Sequence, residues 1–205
     1  MRFCSLLYVL GFAAIGQAAS ITISDPSFET PVLSGPGSFT SISGTGWTNT
    51  LGSPVIDFAG TNQFVSLPDG NQVAILDDFN GPGTLSQTLA ATLAANTTYT
   101  LTFWVGNDLL LPYTGYTAAL TAGGVNLAGD NSVVSPTAGH FLQDTITFSS
   151  GASPAQLGQA LGITFSDVGF NAVAFDQVQR KPAQCPRAAE DLLELVSHVS
   201  VSSRQ

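Results

Sequence analysis

Carboxylates supply most of the reactive chemistry this chain can offer. Asp25, Glu29, Asp57, Asp69, Asp77, Asp78, Asp108, Asp130, Asp144, Asp167 and Asp176 lie in a stretch, from Phe3 to Gln179, that holds no lysine or arginine. A carboxylate buried there has no protein cation beside it, so backbone N–H groups, hydroxyls or a metal ion must satisfy it. Capture of divalent cations is one use of such an excess; a solvated acidic surface without a specific ligand is the other. Phosphate clamps and Arg–carboxylate forks are excluded. So is nucleic acid, whose phosphates need several basic side chains.

Acid–base couples and nucleophiles are poorly served. Asp77 and Asp78 are adjacent, and neighbouring strand residues point to opposite faces, so they do not pair. His140 and His198 are the only histidines, and no Gly-x-Ser-x-Gly elbow is present. One histidine and no cysteine in the central region disfavour zinc. The expectation is a protein without chemistry of its own, not an enzyme. Sugar recognition is better supplied, because it needs an aromatic platform and polar groups that read hydroxyls. Alternation places Trp104 opposite the apolar face of its strand, where an exposed indole needs a reason. Tyr113 and Tyr116 flank the end of the loop that starts at Asn107, and Asn107 and Asp108 offer hydroxyl partners. Burial of Trp104 under a neighbouring loop is the competing reading.

The elements that must position these groups are strands. Ile21–Ser24, Val55–Phe58, Gln72–Leu76, Leu85–Leu89, Thr98–Gly106, Tyr116–Ala122, Phe141–Phe148, Leu161–Phe165 and Ala172–Val178 are rich in Val, Ile, Thr and aromatics. Gly, Pro, Asn and Asp punctuate them, as in Pro68-Asp69-Gly70-Asn71 and Gly123-Gly124. Along Thr98–Gly106, Tyr99, Leu101, Phe103 and Val105 share one face while Thr100, Thr102 and Trp104 share the other. About nine such segments without intervening helices predict an all-β fold: a two-sheet antiparallel sandwich of jelly-roll type. The six residues Ala90–Ala95 are expected to form a turn.

Both ends differ from the middle. Arg2, the apolar Leu6–Ile15 and the small residues up to Ala19 make residues 1–19 an expected signal peptide, so the mature chain is secreted and extracellular. Cys4 would leave with it, and Cys185 alone permits no internal disulfide. Residues 20–179 then form one domain, and 180–205 a tail that is helical through Leu192, Leu195, Val196 and Val199, or disordered. The tail is too short and charged to cross a membrane, so no span is expected in the mature chain.

Asp25-Pro26-Ser27-Phe28-Glu29-Thr30-Pro31, Gly46-Trp47, Pro68-Asp69-Gly70-Asn71-Gln72-Val73-Ala74, Leu85-Ser86-Gln87-Thr88-Leu89 and Val173-Ala174-Phe175-Asp176-Gln177-Val178 occur in that order. Together they resemble a galactose-binding-like jelly roll of the PEP-CTERM class of exported bacterial proteins, although no sorting tail follows Val178. The resemblance implies a non-catalytic module that binds extracellular polysaccharide or a cell-surface glycan. The alternatives are a structural matrix protein with no small ligand and, behind both, a glycoside hydrolase or lyase. It also implies a structural calcium ion between the first and last strands, with Glu29 and Asp176 as ligands and Asp25 as a further candidate. Calcium takes six to eight oxygens at roughly 2.3–2.6 Å.

Overall fold

A computed structural model describes residues 20–42, 44–52, 55–59, 62–77, 82–169 and 172–181. The expected signal peptide and helical tail lie outside these residues. The strands are β1 (Phe39–Ser41), β2 (Thr48–Leu51), β3 (Val55–Phe58), β4 (Gln72–Asp77), β5 (Thr84–Thr92), β6 (Thr98–Gly106), β7 (Tyr116–Ala122), β8 (Val125–Asn131), β9 (Phe141–Ser149), β10 (Ala160–Asp167) and β11 (Ala172–Lys181). They form two antiparallel sheets, ordered β1-β3-β4-β11-β6-β9 and β2-β5-β10-β7-β8. The all-β sandwich expected from the alternation is the one found. β5 runs on to Thr92, however, so the expected turn at Ala90 begins later.

The inner faces follow from period-2 burial. On β6, Tyr99, Leu101, Phe103 and Val105 are all buried in the main core, as their spacing predicts. Phe103, Phe165 and Phe175 meet at its centre, the last two stacked with centroids 4.4 Å apart. β11 and β10 each occupy a middle position in their sheets, so their inward residues are covered from every side.

The stretch Ile21–Ser24 is not a strand. It begins an arm, residues 21–33, that runs against the end of the sandwich and is held by amide side chains instead of a ladder. Gln87 accepts the Ser24 N–H at 2.8 Å and returns an amide N–H to the Ser24 carbonyl at 2.9 Å, imitating a strand partner. Gln72 accepts the Leu33 N–H at 2.6 Å and donates to the carbonyls of Phe28 and Pro31 at 2.8 and 3.1 Å. Both glutamines are buried, and the arm delivers Ile23 and Phe28 to the core. Gln72→Leu keeps the volume but strands one N–H and two carbonyls, at about 1–3 kcal/mol for a buried group left unpaired. A loss of roughly 2–4 kcal/mol, seen as a lower urea midpoint at unchanged slope, is expected.

Candidate active site

Directly paired residues of an antiparallel sheet project to the same side. On the outer side of the six-stranded sheet this builds two rows. In one, Val55, Ile75, Ala174, Gly106 and Phe141 are paired in succession across five strands. The small residues in its middle make room: a Cβ on Gly106 would lie 2.4 Å from the Phe141 ring. In the other row Asp57 pairs with Val73, Asp176 with Trp104 and Trp104 with Gln143. Phe175 opposite Ala74 sets Asp176 level with Val73, so all five residues follow one line. Phe64, Leu67 and Leu111 pack over this face as a second apolar cluster, with the Phe64 and Phe141 rings 4.9 Å apart.

Asp176 is the chemically unusual residue in this setting. Its side chain is fully buried. Burial first, and the nearby charges of Asp69 and Glu29 next, push its carboxyl up to about 8. The backbone N–H groups of Gln177, at 2.6 Å, and Asp69, at 3.1 Å, oppose the rise without cancelling it. The carboxyl is thus biased toward its protonated form, on a row with Val73 and Trp104, and a carboxyl so biased can serve as a general acid. Trp104, its cross-strand neighbour, is half-buried, and its indole N–H has no hydrogen-bond partner among the described residues.

At the far end of the row, the Gln63 amide donates to Asp57 Oδ2 at 2.7 Å and reaches Asp108 Oδ2 at 3.4 Å. Asp108 Oδ1 accepts the Leu110 N–H at 2.6 Å. Burial, helped by the charge of Asp57, raises the Asp108 carboxyl above the ordinary range.

The residues expected to form a sugar platform do not assemble. Trp104 and Asp108 belong to the outer face, but Tyr116 is fully buried between the sheets against Phe103 and Phe175. Its hydroxyl donates to Asp144, and burial with that bond raises its pKa. Tyr113 packs beside it, donates to the Val134 carbonyl at 3.1 Å, and is pushed up to about 12 by burial and Asp144. The Asn107 amide donates to the Pro136 carbonyl at 2.9 Å and so braces a loop. Asp57, Gln63, Phe64 and Phe141 were missed. The only local signal for them was the acidic Asp57 inside an otherwise apolar strand.

The three carboxylates expected to bind calcium do share one neighbourhood. Glu29 Oε1 accepts the N–H groups of Asn71 and Gln72, each at 2.8 Å, across a turn whose Gly70 has φ of 53°. A Cβ at Gly70 would lie 2.0 Å from that oxygen, so the turn must carry glycine. The Glu29 charge acts on both Asp25 and Asp176, and Asp25 is raised chiefly by burial. One buried oxygen of Asp25, Oδ2, has no hydrogen-bond partner among the described residues. Among the described residues, however, no three His, Cys, Asp or Glu side chains form a metal-holding group.

A family model described as HpiC1-like, HpiC1 cyclase, matches residues 19–180. No curated protein matches the chain. Among solved structures, the apo form of a cyclase from Fischerella sp. is 27% identical with a TM-score of 0.72, covering 82% of this chain and 98% of its own. The Stig cyclase FisC from Fischerella sp. TAU, in complex with (3Z)-3-(1-methyl-2-pyrrolidinylidene)-3H-indole, is 28% identical with a TM-score of 0.72, covering 81% and 99%. A cyclase from the same organism in complex with 4-(1H-indol-3-yl)butan-2-one is 28% identical with a TM-score of 0.70, covering 82% and 100%.

These matches overturn four expectations. The chain's likeness is to cyclases and not to the PEP-CTERM class. The non-catalytic glycan module and its structural-matrix alternative give way to an enzyme family. The expected absence of catalysis falls with them. So does polysaccharide as the partner, since the matched structures hold small indoles. Residue types alone mark an acid site only where carboxylates pair or a histidine stands by, and acid chemistry requires neither.

Proposed function

Because this chain belongs to the HpiC1-like cyclase family, we propose that it closes a ring on an indole-type substrate by acid catalysis, with Asp176 as the acid. The observation that carries this is a fully buried carboxyl, raised to about 8, paired across the sheet with Trp104 and level with Val73 of the outer apolar cluster. Proton transfer from Asp176 to the substrate creates an electron-poor carbon. A tethered carbon–carbon double bond attacks that carbon and the ring closes. Loss of a proton from the resulting cation restores the carboxyl. Water is disfavoured as a competing nucleophile by Phe64, Leu67, Leu111 and Phe141. Trp104 lies beside the acid, where its ring supports an aromatic substrate and a developing positive charge.

The test is turnover of an indole carrying a tethered alkene, followed as a function of pH in the presence of chelator. Activity holds below about 8 and falls above it as Asp176 loses its proton. Activity that climbs through pH 8 would rule out an acid role.

Calcium belongs to the same proposal as a structural ion. The donors are Glu29 and Asp25, whose unpartnered oxygen suits a hard cation, with carbonyls completing the shell. Asp176, first expected as a ligand, is assigned to catalysis. When bound, the ion would fix the arm against the Asp69–Gln72 turn and draw the Asp176 carboxyl downward, a purely electrostatic contribution. At calcium a hundredfold over its Kd, chelation is expected to lower Tm by about 5–10 °C. An unchanged midpoint would remove the ion. Export by the N-terminal leader remains part of the proposal, tested by the N-terminal sequence of the secreted protein.

A further inference from the structure

We propose that Asp57 receives a positively charged nitrogen on the substrate, which makes the substrate class a basic indole amine. The inference rests on the outer face being the binding site, and adds the charge of what binds there.

Asp57 is only 8% exposed, and its buried Oδ1 has no hydrogen-bond partner among the described residues. Its other oxygen takes the single Gln63 amide, which also reaches Asp108, itself 3% exposed. Two buried carboxylates thus share one neutral amide, and of the two only Asp108 also accepts a backbone N–H, that of Leu110. No lysine or arginine exists between Phe3 and Gln179 to balance them. A buried carboxylate oxygen left without a donor favours a positively charged partner, and none is supplied by Lys or Arg in this stretch, which points to a ligand. Its position says which group. Asp57 and Asp176 stand on the same row with Val73 between them, two strand spacings or about 10 Å apart. That distance is too great for one atom to touch both carboxyls. A bicyclic aromatic bearing a short amine arm spans it, placing the ammonium at Asp57 and the ring beside Trp104 and the acid.

The experiment is calorimetric titration of the full-length protein, in chelator, with tryptamine and with neutral 3-ethylindole. Wild type is expected to bind tryptamine at least tenfold more tightly. Asp57→Asn is expected to shrink the preference to about twofold, whereas Asp176→Asn retains it. Should Asp57→Asn fail to fold, Asp108→Asn is expected to reduce the preference at least threefold. Equal affinity for the two ligands in wild type, or a preference that survives in both the Asp57 and Asp108 variants, overturns the charge assignment alone. Binding of neither ligand overturns the binding face and the function built on it. In a separate calcium titration without chelator, a binding heat that is lost in Asp57→Asn, together with no preference for tryptamine, makes the pair a metal site and also overturns the proposal.

Discussion

Asp176→Asn is expected to lower kcat by about 10²–10⁴ while raising the melting temperature at pH 8–9, measured in the presence of chelator. The two effects have one origin. The carboxyl sits at 3.8 in an ordinary setting and at about 8 in the fold. Between those values the folded chain holds a proton that the unfolded chain releases. Stability is therefore full below about pH 4, and declines as pH rises toward 8, after which the folded protein carries a buried anion. The interval, at roughly 1.4 kcal/mol per pH unit, puts the ceiling at about 6 kcal/mol. Asparagine has the same shape but one acceptor oxygen, so it keeps one of the two backbone N–H groups held by Oδ1 and Oδ2 and turns its NH2 toward the other; it neither donates that proton nor acquires that charge. A variant that keeps wild-type turnover would dismiss Asp176 as the acid. One that melts lower at pH 9 would show that the carboxyl does not strain the fold.

Its neighbour in sequence should respond in the opposite sense. Phe175 points the other way from β11, fully buried, stacked on Phe165 and edge-on to Tyr116. Phe175→Ala is expected to destabilise the domain by about 3–5 kcal/mol, the range for removing a core phenylalanine. With roughly 2–4 °C per kcal/mol for a chain of this size, Tm should fall by about 6–20 °C. Turnover per folded molecule is expected to fall far less than in the asparagine variant. A loss below 1 kcal/mol in denaturant unfolding would mean that the two sheets do not close over this ring.

The contrast between these two residues marks what the chain discloses by itself. Tyr99, Leu101, Phe103 and Val105 announced a strand with one buried face because alternation is local and needs no partner to be recognised. The same rule applied to Tyr116, Ala118, Leu120 and Ala122 would have sent Tyr116 inward. Its place just after the Asn107–Pro112 loop instead makes it a candidate for the sugar site. Asp176 stood out early, though as a metal ligand, since nothing local distinguishes a carboxylate held by a cation from one held by its own proton. That distinction depends on desolvation by residues far along the chain. Asp57 and Trp104 share a row only because β3, β4, β11 and β6 lie side by side in that order. Those strands are separated by tens of residues, and no spacing in the sequence encodes the order. The arm escaped notice for a similar reason: its partners are the side chains of Gln72 and Gln87, which read as ordinary polar residues at strand positions.

That arm also fixes an order of events during synthesis. Residues 21–33 are made first, yet the groups that hold them arrive late: Gln72, then Gln87, and finally the Val178 N–H that donates to the Pro26 carbonyl at 2.7 Å. Until the last strand emerges, Phe28 has no lasting shelter and stays open to wrong company. A nascent chain arrested before β11 should accordingly recruit chaperones at its beginning, not at its growing end.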